Sequence, residues 1–175
     1  RWAKTFNLKE MAKTLIYLQE NNLTDLGELE KACDAAAQKF HDLTDRIKAA
    51  EARMKDISEL QTHIGAYGKT REVYTQYRKL TGRKREKFYE QHSSEITACQ
   101  AAKRYFDSLG LKKLPSMQSL KQEYAKLKAE KQKQYSEYKQ ARAEMMELLT
   151  AKNNVEQILG VTEKEKNRSR QQEAR

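Results

Sequence analysis

Residues 26–67 read LGELEKACDAAAQKFHDLTDRIKAAEARMKDISELQTHIGAY. Apolar side chains recur along this stretch at alternating steps of three and four residues, the spacing of a helix that packs against another helix. They are Leu26, Leu29, Cys33, Ala36, Phe40, Leu43, Ile47, Ala50, Met54, Ile57, Leu60, Ile64 and Tyr67. Two successive three-residue steps, ending at Ile57 and Leu60, shift the register as a stammer does. The stretch predicts one long helix whose narrow apolar seam needs a facing helix.

A second seam follows Pro115 and supplies that partner. Its positions step by three and four in the same way: Met117, Leu120, Tyr124, Leu127, Lys131, Gln134, Tyr138, Ala141, Met145, Leu148, Lys152, Val155 and Leu159. The three polar members are Lys131, Gln134 and Lys152, and a long polar side chain on a seam can reach solvent and fix the register. Because the intervening chain is long enough to reverse, we expect an antiparallel hairpin. Its outermost contacts would join Leu26 with Leu159 and Ile64 with Met117.

The composition agrees with an all-α protein built from long helices. Charged residues make up 34% of the chain and hydrophobic residues 38%, and a single proline is present. No apolar run is long enough for a membrane span or a secretory signal, so we expect a soluble, cytoplasmic protein without membrane contacts. The first residue is Arg1 rather than Met, and Trp2 follows at once. We therefore expect a fragment of a larger parent chain.

The two seams divide the chain into four predicted parts. A short N-terminal amphipathic helix covers residues 1–22, an antiparallel, coiled-coil-like stalk covers 23–68 and 116–160, a small helical head at the closed end covers 69–115, and a polar tail covers 161–175. The tail has no apolar seam and is expected to be a frayed helix or disordered.

Residues that begin helices give local expectations. Asn7 with Glu10 predicts the start of the first helix, and Thr24 with Glu28 predicts the start of the long one. Ser116 should begin the returning helix.

Residues that end or bend helices divide the head. Gly65 and Gly68 predict a kink or a close helix crossing. Gly82 and Gly110 suit left-handed positions at helix ends. Between them we expect a short helix over residues 83–91 and then a second helix capped by Ser93 or Ser94.

Positive charge is concentrated in one part of the chain. Residues 1–68 carry 10 basic and 11 acidic side chains, a net −1, whereas residues 69–113 carry 12 basic and 5 acidic side chains, a net +7 of the total +10. The basic residues there are Lys69, Arg71, Arg78, Lys79, Arg83, Lys84, Arg85, Lys87, Lys103, Arg104, Lys112 and Lys113. The closed end of the predicted hairpin is therefore its basic end.

Aromatic residues are interleaved with these cations, namely Tyr74, Tyr77, Phe88, Tyr89 and Tyr105. Cations neutralise phosphates, and exposed rings stack on unpaired bases, so the pattern predicts nucleic-acid binding. The predicted contacts are Lys69, Arg71, Tyr74, Tyr77, Arg78, Lys79, Arg83, Lys84, Arg85, Lys87, Lys103 and Arg104. The alternative is that the cations form a solvated helix face and the rings form the core of the small helices.

The sequence carries no pattern typical of catalysis. His41, His63 and His92 have no partner at metal-ligand spacing, and there is no phosphate loop, catalytic carboxylate pair or nucleophile motif. Cys33 and Cys99 read as buried free thiols rather than a disulfide or metal site. We expect no enzymatic activity, no metal and no cofactor.

A set of short segments along the chain carries a further signal. They are RWAKTFNLKEMAKTL over residues 1–15 with Tyr17-Leu18, His63-Ile64 with Lys69-Thr70-Arg71, AAKRYF over 101–106, LKKLPS over 111–116, LLTAK over 148–152 and Ile158-Leu159-Gly160. Together these segments resemble the region that follows the nuclease domain in relaxases of conjugative transposons and mobilizable elements of Gram-positive, Firmicutes-type bacteria. The similarity covers nearly the whole chain.

The resemblance implies a non-catalytic, helical C-terminal region. In such relaxases an N-terminal domain, with a histidine-cluster metal site and a catalytic tyrosine, nicks one strand at the transfer origin and stays attached to its 5′ end. None of those motif residues is present here, so no active-site residue carries over. The implied partners are DNA, the nuclease domain of the same parent chain, and proteins of the relaxosome or transfer machinery.

Three functions remain open at this point. The first is a DNA-binding accessory domain of a relaxase that acts at the transfer origin. The second is a protein interaction or spacer module that docks the relaxase to the transfer machinery. The third is a coiled-coil structural fragment without any link to a relaxase.

Overall fold

The computed structural model describes the backbone of residues 2–173 and the side chains of residues 8–160. It contains four helices, α1 (Trp2–Glu20), α2 (Leu26–Lys79), α3 (Gly82–Ser108) and α4 (Met117–Glu173), and no strand within the described backbone. The all-α class is confirmed. The segment treated above as a polar tail is a continuation of α4 as far as Glu173.

The chain forms two compact units, and both long helices contribute to each. Unit 1 comprises Arg1–Ile47 and Lys133–Arg175, and unit 2 comprises Lys48–Gln132. Unit 1 thus holds α1, the first part of α2 and the later part of α4. Unit 2 holds the remainder of α2, all of α3 and the first part of α4.

In unit 1, the two predicted seams pack together antiparallel. Leu29, Cys33 and Ala36 of α2 form a buried cluster with Leu148 and Ala151 of α4. Two ion pairs between the helices give their direction: Lys152 Nζ lies 3.4 Å from Glu30 Oε1, and Lys39 Nζ lies 2.9 Å from Glu144 Oε2. As numbering rises along α2 it falls along α4, so the antiparallel pairing is confirmed in this unit.

Unit 2 shows the same pairing with a third helix added. Ile57 and Leu60 of α2 pack with Leu120 of α4, and Ala102 and Phe106 of α3 complete the cluster. Arg53 Nε donates to Glu123 Oε1 at 2.7 Å, and Lys131 Nζ lies 2.6 Å from Glu51 Oε1. Lys131 and Lys152 thus behave as expected for seam lysines, since each reaches a glutamate of the facing helix.

The ends of the seams are less buried than the heptads predict. Leu26, Met117 and Leu159 are all exposed. A terminal seam position has facing side chains on only one side along the helix axis, so its burial is incomplete. The predicted contact of Leu26 with Leu159 therefore does not form a buried pair.

Several local expectations need correction. The long helix is capped by Asp25, whose Oδ1 accepts from the Glu28 N–H at 2.8 Å, while Thr24 Oγ1 donates to the Glu28 carboxylate at 3.1 Å. Helix α1 begins at Trp2, so Asn7 lies inside it. Ser116 does cap α4, because its Oγ accepts from the Ser119 N–H at 3.0 Å.

Glycines act at helix ends but not within α2. Gly82 and Gly110 adopt the predicted left-handed conformation, with φ values of +56° and +64°, but Gly82 begins α3 rather than capping the end of α2. By contrast, α2 is helical through Gly65 and Gly68, and no atom lies within 4 Å of a Cβ built at either. No helix therefore crosses closely at these two positions.

The head contains two helical segments, as expected, and they meet at a kink within α3. Helix α3 runs from Gly82 to Ser108, and only His92 departs from helical geometry, with φ −126° and ψ 23°. Glu95 lies three residues after His92, and its Oε2 is 2.8 Å from His92 Nδ1. This contact stabilises the start of the second segment. The bend therefore falls beside the predicted caps Ser93 and Ser94, but at His92.

Candidate nucleic-acid interface

The cations predicted to bind nucleic acid lie on α2 and α3 of unit 2. At the end of α2, cations and rings recur at a helical spacing, because Tyr67, Arg71, Tyr74 and Arg78 are separated by four, three and four residues. Residues at this spacing share one helix face. The face is therefore both basic and aromatic.

Helix α3 adds Lys103 to this face and closes a groove of about 360 Å³. Its lining consists of Tyr67, Arg71, Tyr74, Thr75, Arg78, Lys79 and Lys103. Four of these side chains are cationic, and none is a carboxylate. We call this the α2–α3 groove, and its composition suits an anion.

None of the twelve lysines and arginines between residues 69 and 113 makes an ion pair with a described carboxylate. Elsewhere, lysines and arginines pair with glutamates across α2 and α4, as in Lys39 with Glu144 and Arg53 with Glu123. The cations of the head are therefore not held in ion pairs within the described part of the chain.

The rings of the head contact cations and other rings of the same unit. The Arg85 guanidinium lies 4.4 Å from the centroid of the Tyr77 ring, and Lys103 Nζ lies 5.4 Å from that of Tyr74. Tyr77 also contacts Tyr89, with centroids 5.8 Å apart. Tyr105 stacks on His63 at 4.0 Å. The rings thus take part in the packing of the head, as the alternative interpretation expected.

A second concave surface at the start of α3 has mixed charge. Arg85 lines it, but so do Glu86 and Glu90, together with Tyr77 and Tyr89. Opposite charges on one surface reduce its attraction for a polyanion. The charge of this surface therefore suits an anion less well than that of the α2–α3 groove.

The structure brings together only part of the predicted site. Arg71, Tyr74, Arg78, Lys79 and Lys103 line the groove, whereas the remaining predicted residues do not: Lys69, Tyr77, Arg83, Lys84, Arg85, Lys87 and Arg104. The cations among these are exposed or, for Arg85, over a ring.

Sequence reasoning missed Tyr67 and Thr75 as groove residues. Tyr67 was assigned to the seam, and it does pack against Phe106 edge to face, with centroids 5.8 Å apart. The sequence does indicate this role, because Tyr67, Arg71 and Tyr74 are separated by four and three residues and therefore share one helix face. One side chain can serve both the core and the groove because Tyr67 is only half-buried.

Groups capable of other chemistry are dispersed. No cluster of three or more His, Cys, Asp or Glu side chains suited to a metal occurs among the described residues. Burial, reinforced by Glu59 and Asp56, raises the pKa of the Tyr105 hydroxyl, which disfavours the tyrosinate form. Cys33 and Cys99 are buried free thiols, as predicted.

Comparison with known proteins adds no identification: no family model matches the chain, and no match is found among curated proteins or solved structures. Within the described residues, no helix is long and apolar enough to cross a membrane.

Proposed function

We propose that this chain is a non-catalytic C-terminal accessory region of a conjugative relaxase, and that its basic head helps to hold DNA at the transfer origin. The observation that carries the DNA-binding part is the set of twelve unpaired cations in the head. Unpaired Lys and Arg side chains release counterions from a nucleic-acid backbone when they bind it, and this supplies affinity without sequence recognition.

The relaxase part rests on the sequence resemblance. Two of the resembling segments lie on the helices of the head, Lys69-Thr70-Arg71 on α2 and residues 101–106 on α3. Each contributes a cation to the α2–α3 groove, Arg71 from the first and Lys103 from the second. The resemblance and the basic surface therefore concern the same part of the chain.

A charge-reversal experiment tests DNA binding. Changing the groove cations Arg71, Arg78, Lys79 and Lys103 together to Glu should abolish binding to a labelled DNA at low salt, because four attractive charges become repulsive. Circular dichroism should show unchanged helix content.

A matched control places the same four reversals outside the head. Lys31, Arg46, Lys48 and Lys128 are exposed and make no ion pair with a described carboxylate. Lys39 is avoided because it pairs with Glu144. The control should bind only slightly more weakly than the unmodified chain, and equal losses in both variants would contradict a localised interface.

The parent gene provides the test of the relaxase assignment. The reading frame upstream of Arg1 should encode a nuclease domain with a histidine cluster and a catalytic tyrosine. In a mobilization assay, the four-glutamate head variant of that parent should transfer DNA less often than the matched control variant. A frame without such a domain would overturn the assignment.

A protein interaction module is the second candidate, and unit 1 carries the observation that favours it. On α1, Leu8, Leu15 and Ile16 are 66%, 56% and 54% exposed, and Met146 on α4 is 53% exposed. Leu8 and Leu15 lie about two turns apart on one face of α1, and an apolar patch on one helix face is typical of a docking surface. Failure of the unmodified chain to bind any DNA at low salt would favour this function over the first.

The third interpretation, a coiled-coil fragment that dimerises through its seam, has less support. In each unit the seam is already buried by the facing helix of the same chain. Within the described residues, the seam therefore offers a second copy only partly buried positions and its exposed ends, such as Leu26 and Leu159.

A further inference from the structure

The α2–α3 groove differs from the usual single-strand site in what its rings do. Single-strand binding proteins combine a basic groove with open aromatic faces on which bases stack. Here the groove has the cations, but its rings are already in contact with neighbours. Lys103 lies over the Tyr74 ring, and the Tyr67 and Phe106 rings pack edge to face.

The rings next to the groove are engaged in the same way. Tyr77 contacts both Arg85 and Tyr89, and Phe88 contacts His92 with centroids 4.4 Å apart. Tyr89 has the most open ring of the group, at 43% exposure. The ring faces of Tyr74 and Tyr77 that carry a cation are closed to a base unless the cation moves away, and the contact of Tyr77 with Tyr89 joins α2 to α3.

The spacing of the groove cations suits a repeating anion. Arg71 and Arg78 are about two helical turns apart on one face of α2, which is about 10 Å. Successive phosphates on one strand of a duplex rise about 3.4 Å, so this distance covers about three nucleotides. Lys103 faces the same groove from α3.

We propose, building on the DNA-binding function above, that the α2–α3 groove binds the sugar–phosphate backbone without base stacking. The ligand class is a nucleic-acid backbone recognised by its charge, and a duplex is the preferred form because its charge density is higher than that of a single strand. The bases contribute nothing to affinity, and the aromatic residues serve to position the cations.

Three labelled probes of equal length test this inference on the unmodified chain: an ordinary single strand, a single strand of abasic sugar phosphates, and a duplex. The ordinary and abasic strands should bind with dissociation constants within about twofold of each other, and the duplex should bind more tightly than both. A stacked base would instead strengthen binding of the ordinary strand by about fivefold or more.

Two variants separate the cations from the rings. Arg78→Gln with Lys103→Gln should weaken binding of all three probes, whereas Tyr89→Ala should change none of them by more than about twofold. Circular dichroism of each variant should match the unmodified chain.

The outcomes distinguish the two proposals. A preference for the ordinary strand over the abasic one, or a loss of binding in Tyr89→Ala, would overturn this inference and leave DNA binding intact. No binding of any probe at low salt would overturn both.

Discussion

The salt dependence of DNA binding should be set largely by the four cations of the α2–α3 groove. The perturbation replaces Arg71, Arg78, Lys79 and Lys103 by Gln, which removes the charge, keeps a polar side chain of moderate length and retains good helix propensity. Because none of the four makes an ion pair with a described carboxylate, their loss leaves no described carboxylate unpaired. The change in binding therefore reports the lost phosphate contacts.

The size of the effect follows from counterion release. Each phosphate neutralised on a duplex contributes about −0.9 to the slope of log K against log salt, so four groove cations contribute about −3.6. Raising the salt concentration from 50 to 200 mM weakens binding about 3.5-fold for one such contact and about 150-fold for four. Removing all four should flatten the slope by about 3.6, and each single change by about 0.9.

Fluorescence anisotropy of a labelled duplex, titrated at several salt concentrations, measures these slopes. The matched control changes Lys31, Arg46, Lys48 and Lys128 to Gln, which removes the same charge from outside the head. Its slope should change by less than about 1, since these cations make no specified phosphate contact. An unchanged slope in the groove variant, or equal flattening in both variants, would refute the assignment of the groove as the phosphate site.

The remaining predictions concern the fold and reactivity. Spin labels at Asp42 and Glu137, which line one shallow groove in unit 1, should lie within about 20 Å in a single chain, because packed helix axes are about 8–10 Å apart. A concentration-dependent distance would contradict this. Ile57→Ala should lower the free energy of unfolding by about 2–5 kcal/mol, because the side chain is fully buried. A loss below about 1 kcal/mol in a denaturant titration would argue against that core. Cys33 and Cys99 should react slowly with a thiol reagent until the chain unfolds, since both are buried and burial raises the pKa of Cys33. Finally, the chain should not nick DNA in Mg²⁺, and cleavage lost in a Tyr→Phe variant would disprove this.

The heptad periodicity predicted the large features of the fold correctly because the pattern depends on many residues rather than on any single one. Along α2, one misplaced side chain, such as a seam position that proves exposed, does not alter the pattern of thirteen. The burial of Leu29 and Ile57, at opposite ends of that pattern and in different units, follows the predicted seam. The seam lysines were predictable for the same reason, since a cation on an apolar stripe must extend to an acid or to water.

Helix boundaries were less predictable because a single hydrogen bond decides each one. Thr24 and Asp25 are both good capping residues, and the sequence does not say which side chain reaches the Glu28 N–H. Likewise, Gly65 and Gly68 weaken a helix by about 1 kcal/mol each, which the surrounding residues of α2 readily offset. The glycines at 82 and 110 adopt the predicted conformation because a left-handed turn admits few other residues.

The α2–α3 groove could be predicted only in part. The spacing along α2 places Arg71, Tyr74 and Arg78 on one face, and this needs no tertiary information. The approach of Lys103 depends on the path of α3, which bends at His92, and no local sequence signal gives that direction. Composition likewise showed cations beside rings, but not that Arg85 and Lys103 would cover Tyr77 and Tyr74.

The distribution of charge argues for a polyanionic partner over a surface that only keeps the chain soluble. The protein has 25 acidic residues, and α2 and α4 use several of them to pair with lysines and arginines. Solubility requires a net charge, but this charge need not be gathered in one region. Basic and acidic residues interspersed along the chain would keep it soluble without repulsion between neighbouring cations. The head instead gathers a net +7 and brings four cations into one groove without a carboxylate. Such an arrangement is unfavourable in the free protein and becomes favourable when phosphates lie between the cations.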